Sequence, residues 1–178
     1  MKIGLRGAVV AFRWLAVSTI AACLIGVAAS AATLTFEANL DGLQEVPPNA
    51  SPAFGMGELT LDTVSGFVTI TTGTYQDLLG GATAVTINDA AIGANGPIIL
   101  TVTLDTPGAA TGTFSGSGTL TAGQVTDMID TNTYINIRSQ VYPSGEIRGQ
   151  LFLVPEPSSV LLACIGLAAL FVVRRRKE

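Results

Sequence analysis

The chain has 178 residues, of which 48% are hydrophobic and 12% charged, and its formal net charge is −4. The charge is unevenly placed, because residues 32–153 hold eleven acidic side chains against Arg138 and Arg148 and so carry a net charge of −9. A region this acidic repels phosphate backbones, which argues against nucleic acid as a partner. The chain contains no histidine, and Cys23 and Cys164 both lie in apolar end segments. These facts exclude Ser-His-Asp hydrolysis, disulfides and zinc or thiol chemistry from the middle region.

Residues 1–31 have the pattern of a secretory signal peptide. Three basic residues flank the start of an apolar run over residues 14–29, and Ala29-Ser30-Ala31 forms a small-x-small cleavage site. We expect cleavage after Ala31 or Ala32. Ile20-Ala21-Ala22-Cys23 also fits a lipoprotein processing box. The apolar run continues beyond that cysteine, where a lipoprotein turns polar, so the signal peptide is the favoured interpretation.

Residues 32–153 consist of short β-forming runs separated by Gly, Pro and Asn. In the first run Leu34, Phe36 and Ala38 alternate with polar residues, which is typical of a half-buried strand. The predicted strands are residues 33–40, 57–62, 66–72, 82–88, 98–105 and 111–120. Their spacing of about ten residues predicts an all-β domain, an antiparallel β-sandwich or barrel.

One segment departs from this pattern and predicts a short helix over residues 122–130. Thr121 and Gln124 have the spacing of a capping box. Val125, Met128 and Ile129 follow at helical spacing, and we expect this apolar stripe to face the core.

The last predicted element is a β-hairpin from Tyr134 to Leu153, with its turn at Pro143-Ser144-Gly145. Tyr134, Asn136 and Arg138 are expected on one face of its first strand, opposite two isoleucines. Its second strand contains Arg148 beside Glu146. A structural ion pair that braces the turn is the favoured interpretation of these two charges, and anion binding or catalysis is the alternative.

Three motifs of the middle region resemble those of the CHRD domain, named after chordin. The opening motif is Gln44-Glu45-Val46-Pro47-Pro48, the second is Tyr134-Ile135-Asn136-Ile137, and the closing motif includes Gly145, Glu146, Arg148 and Gly149. They occur in the family's order. One departure matters, because family members often carry a His-x-His segment and a further histidine where this chain has Thr86-Ile87-Asn88 and Arg138. A metal role for those histidines therefore cannot be transferred to this chain.

Residues 154–178 resemble a PEP-CTERM sorting signal of Gram-negative bacteria. Pro155-Glu156-Pro157 is followed by an apolar run over residues 160–173 and then by a basic tail that includes Arg174, Arg175 and Arg176. The run predicts a short transmembrane helix whose basic end stays in the cytoplasm. The resemblance implies that a membrane enzyme, exosortase, cuts near Pro155–Pro157. It also implies a setting of exopolysaccharide production. A permanent tail anchor is the alternative.

The middle region shows no phosphate loop, dinucleotide fingerprint or Gly-x-Ser-x-Gly motif. Asp127 and Asp130 would share a helix face and could serve a glycosidase. Asn88-Asp89 and Asn95-Gly96 lie in one predicted loop and could bind calcium. Solvation and turn formation explain both sets more simply, so we expect no cofactor, no metal and no catalytic residue.

The sequence thus predicts a non-enzymatic protein that is exported, transiently anchored in the inner membrane, and then placed at the cell surface or in the extracellular matrix. Binding or structuring of exopolysaccharide is the expected role of residues 32–153. A carboxylate-dependent envelope hydrolase and a calcium-stabilised adhesin are the alternatives.

Overall fold

The computed structural model describes residues 33–155. The predicted signal peptide, with Ala29 and Ala31, lies outside the described residues. So do Glu156, Pro157 and Arg174–Arg176 of the predicted sorting signal. Within residues 33–155, no helix is long and apolar enough to cross a membrane.

The described part of the chain is mostly antiparallel β-structure with a single short α-helix, as the sequence predicted. In chain order the elements are β1 (Thr33–Asp41), a 3-10 turn (Gly42–Gln44), β2 (Phe54–Asp62), β3 (Phe67–Gln76), β4 (Ala82–Asp89), β5 (Ile98–Leu104), β6 (Gly112–Thr119), α1 (Ala122–Ile129), β7 (Thr133–Ser139), β8 (Ile147–Gln150) and β9 (Phe152–Val154).

The strands form one sheet in the order β2-β3-β6-β5-β4-β7-β8-β1-β9. Because β1 also pairs with β2 along its whole length, the first eight strands of this order close into a barrel, and β9 is an extra strand against β1. All pairs are antiparallel, and the shortest ladder joins β1 to β8 through the single pair of Asp41 and Arg148. The sequence left a β-sandwich and a β-barrel as alternatives, and the structure is a barrel.

The interior of the barrel is filled by the apolar residues of the alternating strands. Phe36, Leu59, Ile87 and Ile135 are fully buried there. The alternation of apolar and polar residues therefore identified the inward face correctly. Burial of such aliphatic and aromatic side chains is the main favourable term in the stability of a domain of this size.

The helix forms where the capping box predicted it. Thr121 accepts a hydrogen bond from the Gln124 amide, and the Gln124 side chain accepts one from the Thr121 amide. Val125 and Met128 are buried, but Ile129 is 40% exposed, so the expectation that all three face the core was wrong. Ile129 is the last helical residue, and the chain turns away through Thr131, whose φ is +64°.

The final hairpin also forms, with Tyr134 opposite Gln150 and Ile137 opposite Ile147. Its second strand is divided at Leu151, which is buried and donates its amide to the Thr133 carbonyl. Beyond that residue the chain leaves β7 and pairs with β1 as β9. The closing motif therefore lies where β8 pairs with β1 in the barrel.

Candidate functional site

Two loops cover the outer face of β7 and β8. One follows β1 and begins with the 3-10 turn, where Asp41 accepts hydrogen bonds from the amides of Leu43 and Gln44 at 2.8 and 3.0 Å. The other is the β4–β5 loop, residues 90–97. Tyr134, Asn136, Arg148 and Gln150 point away from the barrel core, yet each is at most 4% exposed. The face that Tyr134 and Asn136 share is therefore covered by loops.

Arg148 fastens the β4–β5 loop to the barrel. Its guanidinium donates to the carbonyls of Ala94 at 2.7 Å and Ala91 at 3.3 Å. It also donates to the Gln150 side chain, and it lies 3.4 Å from the centre of the Tyr134 ring. A planar guanidinium suits this combination of several donors and stacking on an aromatic face.

Gln150 connects the opening motif to the closing motif. Its backbone amide donates to the Gln44 side chain at 3.3 Å. Its side chain donates to the carbonyls of Thr131 at 2.7 Å and Ala90 at 3.1 Å. These bonds hold three connecting segments together around one strand.

The predicted ion pair between Glu146 and Arg148 does not form. One carboxylate oxygen of Glu146 accepts from the Ser51 hydroxyl at 2.6 Å and from the Leu79 amide at 2.7 Å. The Glu146 carbonyl accepts from the Asn49 side chain. Glu146 precedes β8 and is fully buried. Its carboxylate accepts hydrogen bonds from Ser51 and Leu79, whereas Arg148 donates to the β4–β5 loop.

Glu45 of the opening motif is buried beside both arginines of the domain. Burial raises the pKa of its carboxyl group to about 7, against the opposing influence of Arg148 and Arg138. Gly145, whose φ is +155°, allows the turn to approach it: a Cβ there would lie 2.5 Å from a Glu45 oxygen and 2.7 Å from the Asn136 amide group. The motif residues Glu45, Asn136 and Gly145, distant in sequence, thus meet at one place.

A cavity of about 160 Å³ opens at this meeting point. Glu45, Asn88, Tyr134 and Asn136 are buried residues of its lining, and Arg138, Asn95 and Ser144 are more exposed ones. Within residues 33–155, three of its buried atoms have no hydrogen-bond partner: Glu45 Oε1, Asn136 Oδ1 and Arg138 Nε. We call this the polar cavity.

A larger groove of about 470 Å³ lies on the other side of Glu45. Arg148 and Gln150 line it together with the apolar side chains of Leu43, Ile92 and Phe152, which are more than half exposed. The groove and the polar cavity share Glu45 and Val46.

Of the three positions at which the resemblance places family histidines, Asn88 and Arg138 line the polar cavity. Thr86 pairs with Asn136 across β4 and β7, and its hydroxyl donates to the Asn88 side chain at 2.7 Å. Asn88 in turn donates to the Gly96 carbonyl. The Asn88 side chain therefore makes hydrogen bonds within the domain through both its oxygen and its nitrogen. No group of three or more His, Cys, Asp or Glu residues that could hold a metal ion occurs in the described part of the chain.

Of the two carboxylates considered for glycoside hydrolysis, Asp127 lies within α1. Burial, followed by the influence of Asp127, raises the pKa of Asp89 in β4. Asp130 caps the carboxyl end of α1 and is exposed.

Sequence reasoning identified Glu45, Asn136, Gly145, Glu146 and Arg148 through the family motifs but missed what joins them. No function was predicted for Gln150, although its position two residues after Arg148 places both side chains on the outer face of β8. The carbonyls of the β4–β5 loop carry no signal in a sequence, because every residue has one.

No curated protein and no solved structure matches this chain. Two family models do match. The PEP-CTERM protein-sorting motif matches residues 153–177. Signals of this kind are recognised by exosortase, a membrane processing enzyme, and indicate export through that sorting system. The model of the CHRD domain, a non-catalytic domain type, matches residues 36–151, about two thirds of the chain. The chain belongs to the CHRD domain family.

Proposed function

We propose that this chain is a non-enzymatic matrix protein of the cell surface. Residues 1–31 direct export, residues 154–178 hold the chain in the inner membrane until exosortase cuts near Pro155, and residues 32–153 bind or structure exopolysaccharide. The observation that carries this proposal is the sorting motif at residues 153–177, which follows the CHRD domain without a linker.

The position of β9 supports processing of a folded domain. β9 ends at Val154, and its pairs with β1 run from Glu37 opposite Phe152 to Thr35 opposite Val154. A cut at or after Pro155 leaves this ladder complete, so the domain remains folded after release.

The outer faces of β5 and β6 support the matrix role. They present a band of exposed hydroxyl side chains: Thr101, Thr103, Thr113, Ser115, Ser117 and Thr119. Two of these hydroxyls donate to Asp105, at 2.7 and 2.9 Å, and are thereby held in place. An ordered row of hydroxyls on a sheet can hydrogen-bond to a polysaccharide chain laid across it.

A sedimentation assay tests the matrix role. The full-length chain is incubated with insoluble exopolysaccharide from cells that produce it, and with cellulose as a control polymer. We expect the chain to sediment with the exopolysaccharide and to release no reducing ends from it. A chain that stays in the supernatant contradicts matrix binding, and release of reducing ends contradicts the non-enzymatic assignment.

A further inference from the structure

The polar cavity contains both hydrogen-bond acceptors and a donor that the protein itself leaves unused. Glu45 is 6% exposed and Asn136 is 4% exposed, yet each has an oxygen without a partner in the described chain. Arg138 Nε is likewise buried and unpartnered there. Buried polar atoms are nearly always hydrogen-bonded, because leaving one unsatisfied destabilises the fold. Three around one cavity indicate a site for a polar ligand.

The shape of the polar cavity limits the ligand to a small one with access from solvent. Its volume of about 160 Å³ corresponds to roughly five water molecules at liquid density, which is about the size of one pyranose ring. Asn95 and Ser144 are exposed at its rim. Val46 contributes an apolar wall against which the C–H face of a sugar can pack.

The charges around the polar cavity argue against simple ions. A metal cation would lie beside the Arg138 guanidinium, and an anion would lie beside the Glu45 carboxylate and the Asn136 oxygen. A pair of neighbouring hydroxyl groups can bind both the acceptor oxygens and the arginine donor, because each hydroxyl donates one proton and also accepts hydrogen bonds. One hydroxyl can donate to Glu45 or Asn136 while its neighbour accepts from Arg138.

We infer that the polar cavity formed by Glu45, Asn136 and Arg138 binds the vicinal hydroxyl groups of a single neutral sugar unit. This inference rests on the proposed matrix function and adds a specific subsite to it. The hydroxyl band on β5 and β6 contacts an extended polymer, whereas the polar cavity receives one terminal or branching unit.

Calorimetric titration of the full-length chain tests this subsite. The chain is kept in a detergent without a sugar headgroup and titrated with the methyl pyranosides of glucose, galactose and mannose. We expect saturable binding of at least one of them with a Kd of about 1 mM, as befits so small a ligand. Methyl glucuronide is titrated in parallel, and tighter binding of this anion than of every neutral sugar would overturn the choice of a neutral ligand.

Two variants remove different sides of the polar cavity. Arg138→Met removes the donor, and Asn136→Leu removes an acceptor and fills the space; Asn39→Leu on the exposed outer face of β1 is the matched control. We expect each cavity variant to weaken binding at least tenfold and the control to leave it unchanged. A thermal melt of each variant confirms folding.

The outcomes separate the subsite from the matrix function. If folded Arg138→Met binds the pyranosides as well as the unmodified chain does, the subsite is wrong. The subsite is also wrong if no pyranoside binds although the chain sediments with exopolysaccharide, and the matrix function then stands. If the chain neither sediments nor binds pyranosides, the matrix function itself fails.

Discussion

Replacing Arg148 with methionine is expected to lower the free energy of unfolding by about 3 kcal/mol and the melting temperature by roughly 10 °C. Methionine fills much of the same space but leaves the carbonyls of Ala91 and Ala94 without their donor, and it removes the cation from the Tyr134 ring. Thermal and urea unfolding of the full-length chain measure this loss.

Arg138→Met is the matched control for this substitution. Arg138 lies on the neighbouring strand and is only half-buried, and its Nε has no partner in the described chain. Removing it therefore costs at most about 1 kcal/mol. Equal losses for the two variants would show that the bonds from Arg148 to the β4–β5 loop contribute little to stability.

Glu45→Gln is expected to stabilise the domain above pH 7 and to leave its stability unchanged near pH 4. Burial raises the pKa of Glu45 from 4.5 to about 7. A raised pKa means that the folded state holds this proton more tightly than the unfolded state, so Glu45 favours folding below pH 4.5. That contribution is lost as the pH rises through 7. The loss amounts to about 2 kcal/mol once solvent screening is allowed for.

Melting curves between pH 4 and 8 test this dependence. Glutamine keeps the shape of the neutral acid, so the variant should lose less stability with rising pH than the unmodified chain. Glu37→Gln, on an exposed part of β1, should leave the pH profile unaltered. Parallel profiles for the unmodified chain and Glu45→Gln would mean that Glu45 titrates as an exposed carboxyl group.

Local pattern was enough to predict most of the secondary structure. Alternation located both ends of β1 and the start of β7 to within one residue, and the capping box at Thr121 located α1. The turn between β2 and β3 lies between the predicted strands 57–62 and 66–72, and there Asp62 accepts from the amides of Val64 and Ser65. In each case the residues that determine the element lie within a few positions of one another.

Closure of the barrel could not be predicted in this way. β1 pairs with β2 on one side and with β8 on the other, where Asp41 lies opposite Arg148 near the other end of the described chain. Strand alternation says which side chains face inward but not which strand is the neighbour. A sandwich and a barrel therefore have the same sequence pattern, and the sequence left both open.

The candidate site shows the same limit. The family motifs identified Glu146 and Arg148, but their closeness in sequence suggested a contact that the fold does not make. Their partners are Ser51, Leu79 and the β4–β5 loop. An outward-facing residue is assigned to solvent by its pattern unless a loop covers it, and that covering is a property of the complete fold.

We propose that the CHRD domain is exported, folds outside the inner membrane and is then released by a cut behind β9. Mass spectrometry of the chain from wild-type cells and from cells lacking exosortase tests it most directly. We expect the chain from wild-type cells to begin at Ala32 or Thr33 and to end between Val154 and Pro157. We expect the chain from cells lacking exosortase to retain the basic tail. A chain from wild-type cells that still carries Arg174–Arg176, or one cut ahead of Phe152, would contradict release behind β9.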